Sequence, residues 1–183
     1  PAINYLKASR QLAEQLGMAS VFEAGGLMSR FEKNITTEDS LITIIAELQM
    51  QTDMFLEDND QEHISAIVFA GAWIESVYIG GQVFQKQKDK KLLKKIVEQM
   101  TILDNISNVL KGYESKDPNI AGIVKDLNAI ENMYNGLESV KKNKSNEDDN
   151  EAEISLTEEE ASVLTKKIEE IRTKFINGYQ LKQ

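Results

Sequence analysis

Cysteine is absent from this 183-residue chain, histidine occurs once (His63), tryptophan once (Trp73) and proline twice (Pro1 and Pro118). The lack of cysteine excludes a disulfide framework, an iron–sulfur cluster and a thiolate zinc site. One histidine leaves most histidine-based catalysis and histidine-rich metal sites without enough groups. His63 itself lies beside a turn of acids and reads as a solvated side chain. Positive charge is also scarce, with 21 Lys+Arg against 30 Asp+Glu, a formal charge of −9. That balance argues against nucleic acid and anionic membranes as main partners, because both require a cationic face. There is no G-x-G-x-x-G and no P-loop. The acidic run at 57–62 lacks the glycine and the spacing of an EF-hand. No catalytic residue, metal ligand or cofactor site is assigned on these grounds.

What is present is helical periodicity. Apolar residues recur at three and four positions almost throughout, and no stretch alternates with period two for long enough to need a sheet. The spacing predicts an all-α fold of about seven antiparallel helices, at 2–16, 19–33, 38–58, 61–87, 90–111, 118–141 and 158–177, stacked as helical hairpins. On the first, Leu6, Leu12, Ala13 and Leu16 form the inward stripe, and Gly17 is placed to end it. Gly25-Gly26 weakens the second. Thr37 and Asp89 are expected N-caps, and Asp117-Pro118 a helix start. Thr157 and Glu160 have the spacing of a capping box. Residues 142–156 read as an acidic flexible loop, because Asn143 to Glu153 carries five carboxylates and one lysine and almost nothing apolar. The chain as a whole, 1–183, reads as a single helical domain and a fragment of a longer chain.

The run from Ile64 to Phe84 has Glu75 as its sole charge and is long enough to cross a bilayer. Its polar and small residues, and its amphipathic neighbours, favour a buried central helix, so no transmembrane span is expected. Comparing the chain with itself at an offset of 56 residues pairs Ile64, Ile67, Val68, Ile74, Glu75, Tyr78 and Gly80 with Ile120, Ile123, Val124, Ile130, Glu131, Tyr134 and Gly136. This makes 38–87 and 90–141 candidate copies of one helical-hairpin unit. Glu75 falls one heptad after Val68, nearly above it on the apolar line. An inward carboxylate needs a hydrogen-bond partner or a proton. Either it ties helices together or it marks a ligand pocket, whose lining would be Trp73, Glu75, Tyr78, Glu131 and Tyr134. A di-iron site is excluded, since tyrosine stands where Glu-x-x-His requires histidine. Lys86, Lys88, Lys90, Lys91, Lys94 and Lys95 form a basic cluster, read as a solvated turn or as an anchor for acidic 147–153 or for an anionic partner. Ala72, Ser76 and Gly80 form a small-residue stripe suited to close helix packing.

The segments NYLKASRQLAEQLGMASVFEAGGLMSRFEKN, DSLITIIAELQMQTDMFLEDND and AIVFAGAWIESVYIGGQ resemble an uncharacterised family of all-helical lipoproteins from Gram-negative bacteria. The likeness rests chiefly on Arg30-Phe31-Glu32-Lys33-Asn34 and Gly71-x-Trp73-Ile74-Glu75 and extends loosely through 92–140. It implies export and a lipid anchor upstream of residue 1, hence the cell envelope, periplasmic or outer-membrane. The chain lacks the lipobox cysteine and the helices that precede Tyr5 in such proteins, and the family brings no functional residues. The leading expectation is a non-enzymatic interaction or scaffold domain with a protein partner. The alternative is a small-molecule binding protein with its pocket near Glu75 and Glu131, and an enzyme working with carboxylates alone ranks last.

Overall fold

The helical spacing is realised throughout. The computed structural model describes residues 2–145 and 154–178, and these are all-α, with no strand among them. In order they form α1 (Ala2–Gln15), α2 (Ala19–Glu23), α3 (Leu27–Lys33), α4 (Glu38–Asp58), α5 (Glu62–Gln87), α6 (Lys90–Met100), α7 (Leu103–Lys111), α8 (Ile120–Asn135), α9 (Glu138–Ser145) and α10 (Glu158–Asn177). The expected helices are present, three of them interrupted. Gly25 and Gly26, with φ of 58° and 63°, separate α2 from α3, since left-handed backbone cannot continue a right-handed helix. Breaks at Thr101–Ile102 and at Gly136 divide the other two.

The caps follow local chemistry. Asp89 accepts a hydrogen bond from the Lys91 amide at 2.8 Å and opens α6. Thr157 and Glu160 form the reciprocal capping box of α10. Thr37 occupies the N-cap position of α4 without a side-chain bond. Asp117 instead stabilises a turn, accepting from the Asn119 amide at 2.7 Å, and α8 starts at Ile120. The first residues of the expected acidic loop are helical instead. Fully buried Val140 anchors α9, which keeps residues 142–145 helical, and Leu156 is buried just ahead of α10. The rest of that expected loop, 146–153, lies outside the described residues.

Where the sequence reads as one domain, the packing divides it into two compact units, Pro1–Ser65 and Ala66–Gln183. In the first, short helices bury their apolar residues in two small clusters. Ala13, Met18, Val21, Phe22 and Leu56 make one, and Leu27, Phe31 and Ile44 the other. Arg30 reaches Glu47 at 2.7 Å and links α3 to α4. The α1 stripe is narrower than predicted: Leu6 and Ala13 pack inward, whereas Leu12 is 63% exposed and Leu16 also faces out.

The second unit has one continuous core. On α8 the apolar residues Ile120, Ile123, Val124, Leu127, Ile130 and Tyr134 recur at helical spacing and are buried, as are Ala161, Leu164, Ile168 and Ile171 on α10. The face that α5 gives to this core is Ala70, Trp73, Ile74, Val77 and Phe84. It is not the line through Val68 and Glu75. A helix apolar around its whole circumference does not announce which side is inward. The 56-residue repeat finds no support in this fold. Val68 is exposed but its counterpart Val124 is buried, and Gly80 lies inside a helix but Gly136 ends one. Aliphatic residues at helical spacing recur between any two amphipathic helices.

Candidate functional site

Within the second unit, α5 and α10 carry the polar group that the sequence singles out. Arg172 on α10 grips Glu75 on α5 through both guanidinium edges, Nε to Oε2 at 2.5 Å and Nη2 to Oε1 at 3.0 Å. The same guanidinium lies over the Tyr78 ring, 4.4 Å from its centroid. Tyr78 follows Glu75 by three residues, so both present to one point on the neighbouring helix. The carboxylate is therefore neither deeply buried nor free. Its side chain is 44% exposed and that of Arg172 is 28% exposed. A bidentate pair with an aromatic lid fixes helix register.

The other three predicted pocket residues lie elsewhere. Trp73 is two positions from Glu75, hence nearly opposite on the helix. It is buried in the core, with its indole N–H donating to the Gln99 carbonyl at 3.2 Å. Tyr134 is buried in the core on α8, and burial pushes its phenol above the ordinary value near 10. Glu131 is half-buried on α8 and, among the described residues, shares no hydrogen bond or ion pair with the other four. The structure thus joins Glu75 and Tyr78 and leaves Trp73, Glu131 and Tyr134 in separate surroundings. None of the five lines the cleft of about 560 Å³ beside α6 or the apolar void of about 20 Å³ in the first unit.

Two participants escape the sequence reading. Arg172 stands 97 residues from Glu75, a distance at which no local pattern pairs side chains. Asp126, buried on α8, is held by Lys174 at 2.6 Å, a second bond from α10. A carboxylate set among Ile123, Val124 and Leu127 was the available signal. His63 is half-buried near the start of α5. Among the described residues no three His, Cys, Asp or Glu side chains assemble to hold a metal ion. Of the six clustered lysines, Lys88, Lys90, Lys91 and Lys94 border the 560 Å³ cleft, and Lys95 pairs with Glu98 at 2.7 Å. No family model, curated protein or solved structure matches this chain.

Proposed function

We propose that this chain is a non-enzymatic helical interaction domain that docks an apolar helix of a partner protein on the outward face of α5. The observation that carries the reading is that face itself. Val68, Phe69 and Ile79 are 60%, 52% and 52% exposed, with the small residues Ala72 and Ser76, also exposed, between them. A helix without a polar side belongs in a core or a membrane, and apolar side chains gathered on a surface mark interaction sites. Small residues flanked by larger ones let a second helix approach closely. By length and composition α5 could also cross a membrane. The bond network from Glu75 to α10 and the net charge of −9 favour a protein partner over an anionic bilayer. The small-molecule reading is less well supported, because Arg172 already occupies the Glu75 carboxylate. The resemblance to exported lipoproteins adds the cell envelope as the proposed place of action.

The test is site-specific photocrosslinking in the native host from position 79, with position 169 on α10 as an exposed control. A discrete protein adduct from 79 but not 169, lost in Phe69→Glu while the fold persists, is the expected result. Equal labelling from both positions, or adducts only with lipid, would overturn the proposal.

A further inference from the structure

Helix α4 carries a charge pattern that its own unit does not answer. Its 21 residues include six acids and no base. Of the six, only Glu47 has a cationic partner among the described residues, Arg30 at 2.7 Å. Asp53 and Glu57 stand four apart, where like charges repel. Glu57 and Asp58 occupy the last turn, where the helix dipole favours cations. Each placement costs a little helix stability, and local departures of this kind are expected at functional surfaces.

Among those acids runs an apolar ridge. Ile42, Ala46, Met50 and Met54 follow at intervals of four along the exposed side of α4, with Ile45 beside Ile42. Ile42, Ile45, Met50 and Met54 are each more than half exposed. Asp39, Asp53 and Glu57 stand three residues from Ile42, Met50 and Met54 in turn, and so share their face. The inward side of α4 is given instead to Ile44 and Leu56. From Ile42 to Met54 the ridge is about 18 Å long, or about three helical turns.

We propose that this ridge docks a basic amphipathic helix of a partner protein, apolar on one side and carrying lysine or arginine along its edges. The apolar stripe of such a helix covers Ile42, Met50 and Met54, and its cations answer Asp39, Asp53 and Glu57. Ala46 leaves a dip between larger neighbours where a helix backbone can approach. Methionine side chains adapt their shape to the surface they meet. A second copy of this chain fits poorly. Residues 1–65 hold four Lys+Arg against eleven Asp+Glu, most of the net charge of −9, so two such faces repel. An anionic bilayer is disfavoured on the same ground. The ridge belongs to the first unit and is independent of the α5 face at 68–79 in the second.

The test uses the intact chain and a synthetic amphipathic helix of leucine and lysine, about 18 residues long, labelled for fluorescence anisotropy. Its comparison is a peptide of identical composition whose scrambled order gives no apolar face. The expected result is saturable binding of the amphipathic peptide, about tenfold or more tighter than of the scrambled one. Binding should weaken about tenfold or more in Ile42→Ser/Met50→Ser. It should weaken about threefold or more in Asp39→Asn/Glu57→Gln, a loss that shrinks as salt rises. Val109→Ser/Val163→Ser and Glu114→Gln/Glu169→Gln, exposed changes of the same kinds on the second unit, should bind as the parent does. Absence of binding, equal binding of the two peptides, or equal weakening in the ridge and control variants would overturn the proposal. So would self-association by sedimentation, or flotation with phosphatidylcholine vesicles, that disappears in Ile42→Ser/Met50→Ser. The first would assign the ridge to a second copy and the second to a lipid surface.

Discussion

Gly81 on α5 meets Thr165 on α10 so closely that a Cβ at position 81 would stand 2.7 Å from Thr165 Oγ1 and 2.8 Å from its Cγ2. Thr165 cannot swing away easily. It is buried and β-branched, and its hydroxyl donates to the Ala161 carbonyl at 2.8 Å. Alanine is intrinsically better than glycine in a helix by about 1 kcal/mol, so the sign of the substitution is decided by contact. Gly81→Ala should destabilise the second unit by about 1–3 kcal/mol. Adding Thr165→Ala should recover most of that loss. Urea melts followed by Trp73 emission measure both, and additive effects of the two changes would contradict the contact.

The Glu75–Arg172 pair supports a second prediction. Both side chains keep substantial exposure, so the ion pair contributes no more than about 1 kcal/mol, with about 0.5–1 kcal/mol added by the Tyr78 ring. Glu75→Gln should lower stability by less than about 1 kcal/mol, and Arg172→Ala by about 1–2 kcal/mol, because it removes both contacts. Raising salt should narrow the gap between parent and Glu75→Gln. A Glu75→Gln variant with unchanged melting at every salt concentration that has lost a cationic ligand would favour the small-molecule reading instead.

Glu160 should make the second unit acid-sensitive. Burial pushes its carboxyl up, but hydrogen bonds from the Ser139 hydroxyl and amide and from Thr157 together hold it below the ordinary value. Its Oε2 accepts from Ser139 Oγ at 2.6 Å and its Oε1 from the Ser139 amide at 2.9 Å. A carboxyl with a lowered folded-state pKa contributes stability that is fully present above its unfolded value. That stability is lost as pH falls through the folded value. Glu160→Gln should reduce stability by about 1–2 kcal/mol at neutral pH. It should also flatten the decline of melting temperature below about pH 4.5, which a pH series of thermal melts would reveal.

Tyr134 acts at the other end of the scale. With its phenol pushed up by burial, the folded state retains a proton that the unfolded chain releases from about pH 10 upward. Stability should therefore fall as pH rises through that range. Tyr134→Phe should lose this alkaline slope while changing neutral-pH stability little. An identical slope in parent and variant would assign it to other groups.

The legibility of this chain follows how its helices divide polar from apolar. On α8 and α10 the division is sharper, and the aliphatic inward residues follow the helical spacing, with Asp126 and Thr165 as buried polar exceptions. On α5 there is almost no polar side, and the line through Val68 and Glu75 proved to be the outer edge. Leu12 on α1 and Leu16 just after it continue an apolar stripe wider than the first unit covers. Local signals such as the Asp89 cap and the Thr157–Glu160 box were legible because the atoms involved are at most three residues apart. The second partner of Glu160, Ser139, lies 21 residues away. Like Arg172 for Glu75, it depends on how helices pack, which no spacing along the chain encodes. The pocket drawn around Trp73 and Glu75 joined residues that a helix turns to opposite sides.

The boundary between the two units, after Ser65, falls inside α5, whose first turn begins at Glu62. Severing the chain there would strip the amides of residues 66–69 of the carbonyls four positions earlier and leave a new helix start with no capping side chain. It would also part Ser65 from the remainder of α5 while leaving its 2.6 Å bond to Asp53 in the other piece. A gene fragment meant to produce the second unit alone therefore needs to begin upstream of Glu62, with the Asp58–Gln61 turn retained as a natural leader into the helix.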